Sequence, residues 1–337
     1  MPERYSRQVR FEGIGRFGQQ RISQGRVVVI GCGALGTVSS EMLARAGVGT
    51  LRVIDRDFVE LSNLQRQTLF TEADVTNTTP KAIAAEKALS AINSEINIEG
   101  VVADVTFENI EQLCSDFDLI IDGSDNFEIR FLINDFSIKY RIPWIYGAAV
   151  GSFGVAFPIM PGKSACLACL FENPPPAGTT ETCDTAGVIA SITHIVASFQ
   201  ATQALRLLTG GNPLPEILQV DIWNNDWRVV KADQRSPYCP CCGDLKFRFL
   251  EGEGRSLLTR LCGRQAVQVY PTLRGRVDLQ ELAQRLAKVG EVQSNEHMLR
   301  AKINSYEIAL FPDGRAIIRG TEDFTEARAL YSRYVGN

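Results

Sequence analysis

The sequence predicts a doubly wound α/β fold with a mostly parallel sheet, followed by a small α+β domain. Between residues 27 and 146, short apolar runs of strand length alternate with segments of helical periodicity, the pattern of a parallel sheet covered by helices. The first of these units has a glycine-rich turn between its strand and its helix. After the cysteines near residue 242 the composition changes, which indicates a separate C-terminal unit.

The elements of the first predicted domain, 1–250, follow one another in chain order. A strand at 27–30 leads through residues 31–36 into a helix that ends near Gly47, and a second strand follows at 51–55. One further helix and three further strands continue the alternation. They are predicted at about 80–93 for the helix and at 98–102, 118–122 and 143–146 for the strands.

The next predicted segments are a crossover and a second domain. Residues 171–185 contain a proline-rich run and are expected to cross the surface as a mobile segment, before a long helix over 186–209. The second domain is predicted over 257–337. Its expected elements are a strand near Val267, an amphipathic helix over 279–288, a hairpin turn at 312–314 and a helix from Thr325.

Bulk properties restrict the class of protein. The 337 residues suffice for two domains, and the net charge of −4 with a pI near 5.5 lacks the basic footprint of a nucleic-acid-binding protein, so no nucleic-acid partner is expected. No apolar run approaches a membrane span, and no membrane association is expected. The nine cysteines, an odd number, suit a reducing compartment better than a disulfide framework. We therefore expect a cytoplasmic protein.

The glycine-rich turn is the first candidate nucleotide site. Gly31 and Gly33 would let the backbone turn tightly and approach a phosphate, and Ala34 is small enough for the same turn. Gly36 would permit close packing of the helix, and Asp55 stands at the next strand end, where an acidic residue holds a ribose. The alternative, a turn that needs glycine only for its backbone angles, is less favoured because all these features occur together.

The run that follows Asp55 favours ATP over a nicotinamide cofactor. Asn63, Gln65 and Arg66 offer several hydrogen-bond donors in a short stretch, which suits phosphoryl oxygens. Asp57 belongs to the same run and is assigned to the nucleotide with them. The alternative from another class, a nicotinamide-dependent oxidoreductase, is disfavoured by this run and because neither of the two histidines is placed like a hydride-transfer acid.

Lys81 is predicted in the first turn of a helix, directly after Pro80. A cation is locally unfavourable there, because the helix N-terminus already carries positive potential. A bound polyphosphate would reverse that sign. Taken alone, the residue fits a solvated surface lysine equally well.

The polar loop after the strand at 118–122 is expected at the carboxyl edge of the sheet, where such folds bind ligands. Asp125 is a candidate ligand for Mg²⁺, with an N-cap of the following helix as the alternative role. Asn126 is assigned to the same site. Arg130, about one turn into the helix, faces either this site or solvent.

Two Cys-x-x-Cys pairs predict a structural zinc site. Cys166 with Cys169 and Cys239 with Cys242 would supply four thiolates, which close a tetrahedral site. Either pair alone would also fit a redox motif, but two pairs in one chain favour zinc. Cys241 lies inside the second pair and is the alternative fourth ligand; Cys242 is preferred for its two-residue spacing.

Cys183 ends the proline-rich segment and precedes a predicted helix. A thiol near a helix N-terminus has a lowered pKa, and on a crossover segment it would be accessible, which is the situation of a nucleophile. An ordinary loop cysteine is the equally weighted alternative.

These motifs together resemble the ThiF/MoeB/HesA family, the bacterial relatives of ubiquitin-activating enzymes, over about residues 4–245. The resemblance implies MgATP binding, adenylation of the C-terminal glycine of a ubiquitin-like sulfur-carrier protein that ends in Gly-Gly, a structural zinc and a homodimer. It also implies that Arg7 reaches the ATP site of the partner subunit. The motifs that carry it are Arg4-Tyr5-Ser6-Arg7-Gln8, Gly31-Cys32-Gly33-Ala34-Leu35-Gly36, Ser62-Asn63-Leu64-Gln65-Arg66-Gln67, Pro80-Lys81, Ser124-Asp125-Asn126, Cys183-Asp184-Thr185-Ala186-Gly187-Val188 and both cysteine pairs.

The residues suggest a mechanism that agrees with this resemblance. The carrier carboxylate would attack the α-phosphate, and Lys81, Arg66, Arg7 and Asp125-bound Mg²⁺ would meet the developing charge. Cys183 would then act in a second step, on the acyl-adenylate or in a persulfide link to the carrier.

The C-terminal segment 257–337 indicates which biosynthetic pathway the reaction serves. It is too short for a rhodanese domain, so a separate sulfur donor is expected. Longer ThiF-like proteins with a comparable tail are associated with thiamine thiazole synthesis, which favours a ThiS-like carrier. A MoaD-like or other carrier, in molybdopterin synthesis or tRNA thiolation, is the alternative.

Overall fold

The structure is a computed structural model that describes residues 3–175, 186–252, 258–261, 265–270 and 277–336. The chain divides into two compact units, Met1–Gly254 and Arg255–Asn337. The first unit contains an eight-stranded sheet, and the second contains a six-stranded antiparallel sheet. The predicted doubly wound α/β class with a small α+β unit is confirmed.

Five parallel strands form one half of the first sheet, in the order β3-β2-β1-β4-β5. Their bounds are β1 Arg26–Ile30, β2 Thr50–Asp55, β3 Asn97–Val102, β4 Leu119–Asp122 and β5 Trp144–Val150. The strand order reverses direction between β1 and β4, and ligands of such folds bind in the crevice at the carboxyl ends of these two strands. All five lie where the apolar runs predicted them.

Three antiparallel strands extend the sheet beyond β5 and were not predicted. They are β6 Phe153–Ile159, β7 Glu216–Asp221 and β8 Asp226–Lys231. Every residue of β8 is exposed, so this strand lacks the alternation of buried and exposed residues that marks a strand in a sequence. Gly151, at a φ of 60°, lies in the turn between β5 and β6.

Helices pack on both faces of the sheet and bury two apolar cores. Val28 of β1 lies in a core with Phe131 and Trp144, whereas Val27 and Val29 lie in a second core on the other face. Because neighbouring residues of β1 are buried on opposite faces of the sheet, positions 27–30 are all apolar, and the sequence shows a continuous apolar run. The helices are α1 Gly15–Ile22, α2 Ala34–Ala46, α3 Glu72–Thr76, α4 Lys81–Ile92, α5 Ile110–Cys114, α6 Phe127–Tyr140, α7 Leu167–Leu170 and α8 Ala190–Leu208, with 3-10 turns at Glu3–Tyr5, Gln8–Arg10 and Leu61–Asn63.

In the described residues of the second unit, a sheet in the order β11-β12-β13-β14-β10-β9 is accompanied by two helices. Asp278 and Asp323 cap the helices, each through backbone amides of the first turn. The predicted turn at 312–314 joins β13 to β14. The bounds are β9 Leu258–Leu261, β10 Ala266–Val269, α9 Leu279–Leu286, β11 Glu291–Ser294, β12 Leu299–Ile303, β13 Tyr306–Leu310, β14 Ala316–Arg319 and α10 Phe324–Tyr334.

Within the described part of the chain, none of the helices combines the length and the apolar character that crossing a bilayer requires.

Candidate functional site

The glycine-rich turn lies at the carboxyl end of β1 and packs against the loop after β4. Gly31 has a φ of 92°, and a Cβ atom on it would lie 2.5 Å from the carbonyl oxygen of Gly123. A Cβ on Gly36 would collide with the carbonyl oxygen of Gly31. Gly31 and Gly36 are therefore required by packing.

Gly33 has a different surrounding. Among the described residues, the atom that a Cβ there would meet is the Gly123 oxygen, at 3.8 Å, so no described side chain fills this space. Gly33 is the N-cap of α2 and supplies no side chain to the amides of the first turn, which begins at Ala34. Unsatisfied amides at a helix N-terminus are suited to an anion such as phosphate.

Asp55 ties the end of β2 to the glycine-rich turn. Its Oδ2 accepts the backbone N–H of Cys32 at 2.6 Å, and its Oδ1 accepts the N–H of Asp57 at 2.7 Å. Burial raises the pKa of the Asp55 carboxyl, and the nearby Lys81 ammonium opposes that rise. The carboxylate is thus held at the position where a ribose is bound in this type of fold.

Lys81 is buried, which excludes the solvated surface lysine that its sequence position also allowed. It is 4% exposed, and its Nζ lies 3.4 Å from Oδ2 of Asp57. Its backbone N–H donates to the carbonyl oxygen of Asp57 at 2.9 Å. α4 begins at this residue. A buried ammonium needs charge partners, and the strand-end carboxylates supply them.

Arg56 is a site residue that the sequence reasoning missed. Its Nη1 lies 2.8 Å from Oδ1 of Asp104, and its Nε lies 4.0 Å from Oδ1 of Asp57. Burial would lower the pKa of the guanidinium, but the carboxylates of Asp104, Asp57 and Asp125 raise it. Arg56 thus joins Asp57, the residue that follows it after β2, to Asp104, which comes after β3. The only signal in the sequence is an arginine between two aspartates.

The candidate donors of the Asn63–Arg66 stretch lie in one 3-10 turn and the residues after it. Asn63 is buried, and its Oδ1 accepts the N–H of Glu60 at 3.0 Å as part of a capping box. Gln65 is exposed, and Arg66 is half-buried with its Nη1 donating to the carbonyl oxygen of Ser62 at 2.8 Å. Asn63 therefore shapes the loop, while Gln65 and Arg66 lie at its surface.

The loop after β4 exposes a carboxylate. The N-cap of α6 is Asn126, whose Oδ1 accepts the N–H of Ile129 at 3.0 Å, so the cap role considered for Asp125 falls to its neighbour. The Asp125 side chain is exposed, and its Oδ1 accepts a long hydrogen bond of 3.4 Å from Nδ2 of Asn126. An exposed carboxylate at this edge of the sheet is available to a cation.

Arg130 is buried at 6% exposure, which excludes the solvent-facing alternative. Its Nε lies 3.1 Å from Oδ2 of Asp122, and its Nη2 donates to the carbonyl oxygens of Ser124 and Gly147, each at 3.0 Å. Against the effect of burial, its pKa is raised by Tyr146, Asp122 and Asp125. Arg130 therefore fixes the loop that presents Asp125.

Arg7 lies far from the glycine-rich turn of its own chain. Its neighbour Gln8 donates to the carbonyl oxygen of Ala46, the last residue of α2, at 2.9 Å. The turn lies at the other end of α2, and 13 helical residues span about 20 Å. Tyr5 is buried and accepts a hydrogen bond from Asn93, whereas Arg7 is exposed.

Four of the cysteines form one cluster. The Sγ atoms of Cys166, Cys169, Cys239 and Cys242 all lie within 4.8 Å of one another. The separations are 3.8 Å for Cys166 and Cys169, 3.6 Å for Cys166 and Cys239, and 3.4 Å for Cys169 and Cys242. Tetrahedral zinc with Zn–S bonds of about 2.3 Å places its sulfurs about 3.8 Å apart. The four thiols therefore fit a zinc ion.

Cys241 stands outside this group of four. It is buried, and its Sγ accepts a hydrogen bond of 3.2 Å from Nδ2 of Asn134 on α6. Among the described residues, the set that could hold a metal contains Cys242 and omits Cys241. The geometry thus favours the two-residue spacing in the second pair.

Cys183 lies outside the described residues, as does most of the crossover segment 171–185. The sequence contains two histidines, His194 and His297. Nδ1 of His194 lies 2.7 Å from the carbonyl oxygen of Ala190, one turn back in α8. His297 lies in the second unit and donates its backbone N–H to Asn295.

The chain is similar to known proteins of one family. The sequence model of the ThiF family matches residues 5–241. The sulfur carrier protein ThiS adenylyltransferase of Bacillus subtilis is 45% identical over 338 aligned residues, which cover 100% of both chains. The sulfur carrier protein adenylyltransferase of Thermus thermophilus is 38% identical, over 72% of this chain and 91% of the relative.

Solved structures share the fold. The crystal structure of Escherichia coli MccB with ATP superposes with a TM-score of 0.63 at 23% identity, covering 71% of this chain and 74% of that chain. At this level of sequence identity, the likeness shows a shared fold.

Proposed function

The chain belongs to the ThiF family, and we propose that it adenylates the C-terminal glycine of a ubiquitin-like sulfur-carrier protein at the expense of ATP. The observation that carries this proposal is the buried Lys81 beside the strand-end acids Asp55 and Asp57, next to an open helix N-terminus at Gly33. A cation and unsatisfied amides at one sheet edge suit a polyphosphate, and a hydride-transfer site would not need them.

The proposed reaction is an in-line displacement. The carrier carboxylate attacks the α-phosphorus of ATP, the bond from that phosphorus to the bridging oxygen breaks, and pyrophosphate leaves. The nucleophile is already an anion, so no general base is needed. Lys81 and Arg66 would stabilise the charge that develops on the phosphate oxygens. Asp55 would hold the ribose, and Asn63, Gln65, Asn126 and Arg130 would shape or line the site.

Asp125 is the proposed ligand for Mg²⁺, because its carboxylate is exposed at the ligand-binding edge and Asn126 has taken the helix-capping role. When bound, Mg²⁺ would neutralise charge on the phosphate oxygens. Arg130 acts on this ligand indirectly, by fixing the loop from Asp122 to Ser124.

We propose a homodimer in which Arg7 serves the site of the other subunit. Its own site lies at the far end of α2, about 20 Å away over the 13 residues of that helix. An exposed arginine at that distance can reach phosphates only in another copy.

The cysteine cluster is proposed to bind a structural zinc through Cys166, Cys169, Cys239 and Cys242. Four thiolates leave no open coordination position, so the ion would hold the loops together and take no part in the reaction. Cys183 is proposed to act in the second step, with sulfur supplied by a separate donor protein. The reduced state that these thiols require suits the cytoplasm.

The proposed carrier is ThiS-like, which places the reaction in thiamine thiazole synthesis. The similarity to the Bacillus subtilis ThiS adenylyltransferase supports this choice, because it extends through the second unit. The Thermus relative covers 72% of the chain. A MoaD-like carrier, serving molybdopterin synthesis or tRNA thiolation, is the alternative.

ATP–pyrophosphate exchange with a panel of purified carriers that end in Gly-Gly tests the proposal. Exchange that depends on a ThiS-type carrier supports it. Exchange with a MoaD-type carrier alone would move the reaction to the alternative pathway. Exchange with no carrier in the panel would overturn the proposal that this chain adenylates a carrier protein.

A further inference from the structure

We propose that Asn134 is a positioning residue that couples the cysteine cluster to the Asp125 loop, so that metal binding and nucleotide binding strengthen each other. The half of this inference that concerns the nucleotide rests on the proposed function. The half that concerns the metal rests on the contacts of Asn134 alone.

Asn134 holds both halves of the cysteine cluster with one side chain. It is 0% exposed, and its Oδ1 accepts the backbone N–H of Leu167 at 2.8 Å. Its Nδ2 donates to Sγ of Cys241 at 3.2 Å. Leu167 lies between Cys166 and Cys169, and Cys241 lies between Cys239 and Cys242, so Asn134 contacts the interior of each pair.

The next residue on α6 adds a third contact. Oδ2 of Asp135 accepts the backbone N–H of Phe249 at 2.8 Å, seven residues after Cys242. Asp135 is 2% exposed. The middle of α6 is therefore bonded to the segments on which the four cysteines lie, and these bonds orient the ligands as outer contacts of a metal site commonly do.

The first turn of the same helix is bonded to the nucleotide edge of the sheet. Asn126, Arg130 and Asn134 are spaced by four, which places them along one face of α6. Asn126 caps the helix beside Asp125, and Arg130 is bonded to Asp122 and Ser124. Eight helical residues separate the two ends of this face by about 12 Å.

The coupling follows from the stiffness of a helix that is fixed at both places. If the four thiolates close on a metal, the loops of both pairs become rigid, and the Asn134 contacts then hold α6 in one position. The Asp125 loop moves with the start of α6 because Asn126 caps that helix and Arg130 is bonded to Asp122 and Ser124 in the loop. Coupling between the two sites must be reciprocal, so nucleotide binding must strengthen metal binding by the same factor.

The experiment compares the wild type with Asn134→Ala in the zinc-loaded full chain. Zinc affinity is measured by competition with a chromogenic chelator, and nucleotide affinity is measured with a non-hydrolysable MgATP analogue. The matched control is Ser137→Ala, because Ser137 is a buried polar residue of the same helix whose Oγ donates to the carbonyl oxygen of Ile142, away from the cysteines.

Asn134→Ala is expected to weaken zinc binding about tenfold or more. In zinc-loaded protein it is also expected to weaken binding of the analogue about fivefold. In the wild type, the analogue should tighten zinc binding by the factor by which zinc tightens analogue binding, and Asn134→Ala should abolish this mutual effect. Ser137→Ala should preserve it, although both variants remove a buried hydrogen bond. Cys241→Ala, which removes one of the two Asn134 contacts, is the second variant and should change both affinities in the same direction.

Two results would overturn the proposal: unchanged zinc affinity in Asn134→Ala, or an analogue that binds the wild type without altering its zinc affinity. A wild type that binds no analogue would instead count against the proposed function. In that case the zinc measurement on Asn134→Ala decides whether Asn134 holds the cluster.

Discussion

The Nζ atom of Lys81 lies 3.4 Å from the Oδ2 atom of Asp57, and the Lys81 side chain is only 5% exposed. The two residues are 24 positions apart in the chain, and the backbone N–H of Lys81 also donates to the carbonyl oxygen of Asp57. The end of β2 and the start of α4 are thus joined by a main-chain bond and an ion pair. This pair fixes a buried cation at the edge of the sheet where β2 ends.

Replacing Lys81 tests the charge that this pair provides. Lys81→Ala is expected to reduce carrier-dependent ATP–pyrophosphate exchange by roughly 100-fold or more, because it removes a fixed cation from the developing phosphate charge. Lys87→Ala is the matched control, since Lys87 is exposed on the same helix. Near-normal exchange in Lys81→Ala would show that Lys81 does not have the proposed catalytic role.

Replacing Arg56 tests the residue that only the structure revealed. Arg56→Gln removes a cation that offsets the negative charge of Asp57, Asp104 and Asp125, and the added negative potential would repel a polyphosphate. The KM for ATP is expected to rise about tenfold. Adding Asp104→Asn should recover part of this loss, because it removes one of the negative charges that Arg56 offsets. A double variant no better than Arg56→Gln would contradict this explanation.

Arg7 is testable by mixing two inactive proteins. In the proposed homodimer, the Arg7→Ala and Lys81→Ala variants should each be inactive, whereas a mixed dimer carries one site with both residues intact. Random reassembly should restore about a quarter of the wild-type activity, because half of the dimers are mixed and each has one working site. Failure to recover activity, with subunit exchange shown independently, would place Arg7 outside the site.

Single cysteine variants distinguish the fourth zinc ligand. Cys242→Ser is expected to lose bound zinc and to lower the melting temperature, because it removes one thiolate of the four that lie within 4.8 Å. Cys241→Ser should retain one zinc per chain. The measurement is zinc content by atomic absorption after purification, together with thermal unfolding. The reverse pattern would assign the ligand to Cys241.

Tyr331 offers a test in the second unit. Its hydroxyl donates to the carbonyl oxygen of Gly314 at 2.6 Å and holds the β13–β14 turn, so Tyr331→Phe should lower the free energy of unfolding by about 1 kcal/mol. Burial raises the pKa of Tyr331. The unfolded chain therefore ionises first, and the stability contributed by Tyr331 should fall as the pH rises above about 10. Denaturant unfolding of both proteins from pH 8 to 11 measures this, and an equal fall in Tyr331→Phe would contradict it.

The parallel half of the fold was predictable because each strand carries its own signal. The strands near Val28 and Ile120 are short apolar runs, and burial on both faces requires that pattern. Of the antiparallel strands, β8 was missed because it is exposed along its whole length, including Trp227 and Val229. Its pairing with β7 gives it the strand conformation, and pairing is not a local property of the sequence.

The site was partly predictable for the same reason. Local motifs identified Gly31, Lys81 and Asp125 as candidate site residues. Arg56 was missed because its main partner, Asp104, lies 48 residues further along the chain. Asn134 was missed because Cys241 lies 107 residues away. Contacts of this range depend on how the strands are ordered, which a linear motif does not record.

The contact between Gly123 and the glycine-rich turn has a geometric consequence. A Cβ on Gly123 would collide with the carbonyl oxygen of Gly31, so the two loops touch through their main chains. The loop proposed to hold phosphate and the loop that carries Asp125 are therefore spaced by backbone atoms of fixed size. A side chain between the two loops could change their separation when it is substituted. A direct main-chain contact keeps the separation constant. The distance between the nucleotide and its cation would then be an intrinsic property of the fold, and neighbouring side chains could change without altering it.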